Sequence, residues 1–193
     1  MAQNYSSLSS FVRLGRQKKL KIGLIGDEHA YGLAHGFRSL GLTVLLEPGC
    51  ESATNTRNLA KFIEEHLAHT EISAVDVLFV VIGSHDHAVD AAKLLKLHGT
   101  LEQLQSAPVV WVGPPYASMG PKLMQSARIS AEQKRVVGLP WIDSQRRTLL
   151  LERLPDGSTY TGHAYARWAE YLLDSLGQWD WRRWLLRGLR LGV

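Results

Sequence analysis

The stretch Val75-Asp-Val-Leu-Phe-Val-Val-Ile82 decides the fold that we predict for this chain. It is apolar at almost every position and ends at Gly83. A strand with one face in water would instead alternate apolar and polar residues. The run is therefore typical of a central strand, covered on both faces by helices in a parallel sheet.

Further strands and helices alternate on both sides of this run. We predict strands at 20–26, 42–46, 108–115 and 139–142, and helices at 29–40, 52–69, 87–98, 122–134 and 162–176. This order predicts a three-layer α/β sandwich, with a parallel sheet of about five strands in flavodoxin-like order between helices. The predicted domain spans 20–176, between a basic N-terminal extension, 1–19, and a Trp- and Arg-rich amphipathic segment, 177–193.

Composition and cysteine content favour an ordinary folded domain. The 193 residues are 45% hydrophobic and 21% charged, which lacks the bias that marks disordered chains. Cys50 is the single cysteine, so an internal disulfide is excluded. The first 20 residues lack the apolar core of a signal peptide, and no run approaches the ~20 apolar residues of a membrane span. We expect synthesis in the cytoplasm and no transmembrane segment.

Positive charge is concentrated at the two ends of the chain. The net charge is +4, but the first 21 residues contribute +5 and the last 16 residues contribute +3. The central body of the chain therefore carries a charge of −4. On a helix, the last 16 residues would place tryptophans on one side and arginines on another. We expect these ends to bind other protein subunits of an assembly or an anionic surface such as nucleic acid or lipid. A C-terminal segment folded back on its own domain is the alternative. The predicted partner-binding residues are Arg13, Arg16, Lys18, Lys19, Trp179, Trp181, Arg182, Arg183, Trp184, Arg187 and Arg190.

Three loops that follow predicted strands carry unusual polar content. They are Gly26-Asp27-Glu28-His29, Gly83-Ser84-His85-Asp86-His87 and Asp156-Gly157-Ser158-Thr159. The carboxyl ends of parallel strands lie at one edge of a sheet, where α/β proteins bind their ligands. We therefore expect the three loops to converge on one site.

Together with Gly49, these loops resemble the four motif blocks of the SGNH hydrolases, also called GDSL hydrolases. The first block resembles Gly-Asp-Ser, the second is a lone glycine, the third resembles Gly-x-Asn-Asp and the fourth Asp-x-x-His. The resemblance covers roughly residues 20 to 176. It implies an ancestral activity on esters, often acetyl groups of carbohydrates, as in bacterial and phage-encoded members.

The resemblance also implies that three catalytic positions are replaced. Glu28 stands at the serine position, His85 at the asparagine position and Thr159 at the histidine position, while Gly49 and Asp156 are kept. In such enzymes the serine attacks the ester and the histidine takes its proton. Loss of the nucleophile alone costs on the order of 10⁶ in turnover, and threonine is no general base. We therefore expect a catalytically inactive domain that acts as a structural or binding component of a larger, phage or bacterial, assembly.

A rearranged active hydrolase is the alternative that the same loops leave open. Its nucleophile would be a serine activated by a histidine, with Asp86 or Asp156 orienting that histidine. The candidate nucleophiles and bases are Ser84, Ser158, His85 and His163.

Two further interpretations concern ligands. Glu28, His29, His85, Asp86 and His87 offer ligand types that zinc or iron accepts, and His163 follows nearby. Their spacing matches no dedicated metal motif, so we expect no metal or other cofactor, and expect Glu28 and His85 to form a hydrogen bond instead. A small ester or glycan ligand would need an open pocket lined by Tyr31, Tyr116 or Tyr160. Histidines on helical stretches are expected at the surface: His35, His66, His69 and His98.

Overall fold

The computed structural model describes residues 20–46, 55–66, 75–104, 107–117, 120–137, 140–155, 157 and 159–177. The strands are β1 (Lys21–Gly26), β2 (Thr43–Leu46), β3 (Val77–Val81), β4 (Val109–Val112) and β5 (Trp141–Ile142). The helices are α1 (Glu28–Ser39), α2 (Thr56–His66), α3 (Ala91–Leu104), α4 (Gly120–Val137), α5 (Gln145–Thr148) and α6 (Gly162–Gly177). The partner-binding residues predicted in the two basic ends all lie outside the described residues.

The five strands form one parallel sheet in the order β2-β1-β3-β4-β5. This is the flavodoxin-like order, so the predicted three-layer α/β architecture is confirmed. All five residues of β3 are buried, as its apolar run predicted. The strand order reverses between β1 and β3, and ligands of such sheets bind at the carboxyl ends of the strands beside this reversal.

Two layers of helices bury the two faces of the sheet. Val77, Phe79 and Val81 pack in the same apolar cluster as α1 and α6. Leu78 and Val80 face the opposite way and pack in the cluster that contains the apolar sides of α2 and α3. The alternation of side chains along a strand thus places successive β3 residues in different halves of the core.

Helices α1 and α6 approach each other closely at two glycines of α1. A Cβ atom at Gly36 would lie 2.4 Å from the carbonyl oxygen of Tyr165, and one at Gly32 would lie 2.0 Å from the Tyr165 ring. Either contact is far inside van der Waals distance. The absence of side chains at these positions therefore lets α6 pack against the backbone of α1.

The structure corrects two predictions about the region after β3. Helix α3 runs from 91 to 104 rather than 87 to 98, because the Asp90 side chain accepts the N–H of Lys93 at 3.1 Å and caps the helix. His98 is not a surface residue: its side chain is 14% exposed, and its Nδ1 accepts a hydrogen bond from Trp111 Nε1 at 3.0 Å. His35 is exposed, as predicted, and His69 lies outside the described residues.

Smaller corrections concern the strands. Only four residues of the predicted strand at 108–115 form β4. Pro114 and Pro115 follow soon after, and neither has a backbone N–H to donate to a neighbouring strand. Between the predicted elements, residues 148–153 form the end of α5 and a turn, with one antiparallel bridge between Arg153 and Tyr160. Over the described ranges, no helix has both the length and the apolar composition that a membrane span requires.

The close approach of α6 at Gly36 predicts that alanine there lowers stability, although alanine usually favours a helix more than glycine does. Gly36→Ala should lower the free energy of unfolding by about 1–3 kcal/mol, because the new methyl group overpacks the contact with α6. Gly99→Ala is the matched control: it also lies within a helix, but its Cβ would meet no atom within 4 Å. That variant should gain about 0.5–1 kcal/mol, since alanine favours helix over glycine. Urea unfolding of both variants measures the difference, and equal stabilisation by both would contradict the close packing.

Candidate functional site at the carboxyl edge of the sheet

The turn after β1 is held by a buried carboxyl group. Asp27 is fully buried and caps α1, since its Oδ1 accepts the N–H of His29 at 3.1 Å. Its Oδ2 accepts the N–H of Ser84 at 3.3 Å, in the loop after β3. Asp27 therefore joins two of the three loops that were expected to converge.

Gly26 allows this turn to lie against β3. Its φ angle of 145° is one that residues with a side chain rarely adopt, and a Cβ there would lie 1.7 Å from the carbonyl oxygen of Val81. The N–H of Asp27 donates to that same carbonyl at 2.9 Å. Glycine at this position is thus a steric requirement of the site.

Burial changes the proton affinity of Asp27. Loss of hydration, reinforced by the negative charge of Glu28, raises its pKa from 3.8 to about 7. Hydrogen bonds from the His29 N–H and from Ser84 oppose this rise, because they favour the charged form. The carboxyl group therefore changes charge close to neutral pH.

Glu28 and His85 are hydrogen-bonded to each other. His85 Nε2 lies 2.8 Å from both carboxylate oxygens of Glu28. The side chains are 35% and 50% exposed, respectively. Glu28 is the first residue of α1, where the helix dipole favours a negative charge. The predicted hydrogen bond between Glu28 and His85 is confirmed.

His29 points the other way, into the core. Its Nδ1 lies 2.9 Å from the hydroxyl of Tyr165, and its ring centroid lies 5.7 Å from that of Trp168 and 5.9 Å from that of Tyr160. Burial lowers the pKa of His29 to about 4, although the nearby Glu28 carboxylate acts in the opposite direction. Burial also raises the pKa of Tyr165. Both side chains are therefore neutral at neutral pH.

These contacts form a chain from the core to the surface. Tyr165 binds Nδ1 of His29, whose Nε2 lies 3.7 Å from Glu28, which in turn binds His85. The step from His29 to Glu28 is too long for a hydrogen bond, so the exposed Glu28–His85 end is the part that can bind a polar ligand. It contains no alcohol or thiol nucleophile next to a base, which acyl transfer requires.

Arg153 covers the aromatic ring of Tyr160. Its guanidinium donates to the Tyr160 hydroxyl at 2.6 Å, to the Gly157 carbonyl at 2.9 Å and to the Tyr116 carbonyl, and lies 4.4 Å from the centre of the Tyr160 ring. Tyr160 is only 2% exposed. It is therefore covered by the guanidinium and packs in the core, while the glycan interpretation stays a prediction. Tyr31 and Tyr116 are half-buried.

The rearranged serine site is not assembled in the described residues. Asp86 does not orient a histidine, because its carboxylate accepts the N–H of Thr56 at 3.0 Å and also the Thr56 hydroxyl, at the start of α2. Within the described ranges, the Ser84 hydroxyl has no hydrogen-bond partner. His163 is exposed on the first turn of α6, and Thr159 is half-buried.

Three of the predicted site residues cannot be placed. Gly49, Asp156 and Ser158 lie outside the described residues, so the second block and part of the fourth stay predictions. In the part of the chain that the structure describes, no group of three or more histidine, cysteine, aspartate or glutamate side chains could hold a metal ion.

Sequence reasoning missed the contacts that fill the interior of the site. Nothing local to Arg153 indicates that it covers Tyr160 seven residues away. Tyr165 and Trp168 carried a signal, since they share one helical face with the buried Leu172 and Leu176 and so were bound to face inward.

Comparison of the chain with protein-family models and with curated proteins finds no match. The resemblance to SGNH hydrolases therefore rests on the motif residues.

The raised pKa of Asp27 predicts how stability depends on pH. Between about pH 4 and 7 the folded protein keeps a proton on Asp27 that the unfolded chain has lost. The free energy of unfolding of the wild type therefore falls as the pH rises from about 4 to 7. Asp27→Asn stays neutral and can still accept the capping hydrogen bond. The free energy of unfolding of this variant, relative to the wild type, should therefore rise as the pH increases over this range.

Urea unfolding at a series of pH values measures this difference, and His29 contributes equally to both proteins. Asp90→Asn is the matched control, because the Lys93 hydrogen bonds hold the pKa of Asp90 below its usual value. Its stability relative to the wild type should instead fall as Asp90 ionises at acid pH. A pH-independent difference for Asp27→Asn would contradict the buried neutral carboxyl group.

Proposed function

We propose that this chain is an SGNH-hydrolase-like α/β domain that does not hydrolyse esters and acts as a structural or binding component of a larger assembly. The observation that carries the proposal is the Glu28–His85 hydrogen bond. It lies where the resemblance places a nucleophilic serine and an oxyanion-binding asparagine.

The chemistry of the described residues supports this proposal. A glutamate that attacked an ester would form a labile mixed anhydride, and its hydrolysis would need an oriented base. His29 is the nearest neutral imidazole in the core, but it is 3% exposed and is engaged by Tyr165. Its low pKa also makes it a weak base.

The assembly role rests on the charge distribution along the chain. Basic ends on an acidic body suit a protein partner with an acidic surface, or nucleic acid or lipid head groups. The resemblance favours a bacterial or phage assembly.

A rearranged ester or O-acetyl hydrolase is the second candidate, and one observation favours it. A carboxylate that holds one nitrogen of a half-exposed histidine is the orienting half of a catalytic triad. Ser84 precedes this histidine in the chain, and its hydroxyl would have to reach the other ring nitrogen.

Restoring the family residues tests the leading proposal. Wild type and Glu28→Ser should be silent on p-nitrophenyl acetate and on an acetylated glycan. Glu28→Ser/His85→Asn/Thr159→His should exceed Glu28→Ser by about 10²-fold or more in turnover, because it regains a general base. Addition of Asp156→Ala to this triple variant should remove most of the gain, which controls for hydrolysis unrelated to the restored site.

Wild-type turnover would contradict the leading proposal. If that turnover disappears in Ser84→Ala or Ser158→Ala and in His85→Ala or His163→Ala, the rearranged hydrolase is the function. Thermal unfolding of each variant separates loss of chemistry from loss of structure.

A further inference from the structure

A second concave site lies on the other face of the sheet, between α2 and α3. It has a volume of about 200 Å³ and is lined by four basic side chains: Arg57, Lys61, Lys93 and Lys96. Two come from each helix, at the helical spacings that place them on one face. We call this site the basic groove.

The floor of the basic groove is apolar. It is formed by Ala60 and Ile63 of α2 and by Leu97 of α3. Ile63 and Leu97 are 1% and 3% exposed and belong to the core, whereas Ala60 is half-buried. A ligand in the groove would therefore meet cations at the sides and hydrocarbon below.

Lys61 and Lys93 are accessible to an external anion. Lys61 lies 3.8 Å from Glu65, and Lys93 lies 2.9 Å from Asp90, but these four side chains are all about half exposed or more. Exposed ion pairs of this kind are worth little, since water and salt screen them. An anion of charge near −2 that contacts both helices can replace them.

We propose that the basic groove binds a phosphate monoester that carries an apolar chain. The phosphate group has a charge of about −2 near neutral pH and three acceptor oxygens, which suits donors that approach from two helices. The chain lies on Ala60, Ile63 and Leu97, where burial of methylene groups adds affinity. Among the described residues that line the groove there is no aromatic side chain, which disfavours single-stranded nucleic acid, since its bases bind by stacking.

This site does not depend on the proposed function, because the two sites share no residue. The residues of the groove belong to α2 and α3, whereas Glu28 and His85 lie at the ends of β1 and β3 on the side of α1. Absence of phosphate binding, which would contradict the groove, and wild-type ester hydrolysis, which would contradict the proposed function, are therefore separate results.

Calorimetric titration of the full chain with n-hexyl phosphate and with inorganic phosphate tests the proposal. Hexyl phosphate should bind more tightly, by about fourfold for each methylene group that the groove buries. Arg57→Gln/Lys93→Gln should weaken its binding by about tenfold or more, and a higher salt concentration should weaken it further. Arg146→Gln/Arg167→Gln makes the same charge change at exposed positions of α5 and α6 and should leave binding unchanged.

The substituted side chains are exposed, so thermal unfolding should be unaltered and each variant testable. Absence of hexyl phosphate binding, equal affinity for inorganic phosphate, or unchanged binding by Arg57→Gln/Lys93→Gln would each overturn the proposal. Phosphatidylcholine vesicles that contain phosphatidic acid identify the source of the ligand. Groove-dependent vesicle binding indicates a lipid head group, whereas vesicle binding that the double variant leaves unchanged indicates a soluble ester.

Discussion

The hydrogen bonds of the Asp27 carboxyl group are the contacts on which the arrangement of the site depends. One oxygen caps α1 and the other reaches the loop after β3, so a single side chain sets the positions of both loops. Gly26 makes this possible, because any larger residue would push the turn away from the carbonyl of Val81. Glu28 directly follows Asp27, and His85 directly follows Ser84, so the placement of the backbone brings their side chains into contact.

The same turn separates two electrostatic environments. Glu28 faces a water-accessible rim where charges are tolerated, while His29, the next residue, enters a dry aromatic interior. There, the cost of removing charge from water keeps imidazole and phenol neutral. The rim can thus meet an ionic ligand while the interior acts as rigid support.

Features that arise from one segment, or from neighbouring parallel strands, could be predicted from the sequence. The buried run of β3 indicated the sheet, and the Glu28–His85 contact could be expected because both residues lie in loops that follow adjacent strands. The start of α3 was misplaced because apolar spacing continues into the loop, where the Asp90 cap decides the boundary. His98 was misjudged because its partner Trp111 lies on another element and only packing brings them together. The Tyr165–His29 bond joins residues 136 positions apart, which no local pattern reveals.

Tyr165 has two roles, one for its ring and one for its hydroxyl. Its ring occupies the space left by Gly32, and its hydroxyl holds His29, so the position of α6 along α1 determines the geometry behind Glu28. Helix α6 ends at Gly177, directly before the basic C-terminal segment. A change that shifted α6 along α1 would therefore also alter the Tyr165–His29 distance. The packing of the two helices and the support behind Glu28 depend on the same aromatic side chain.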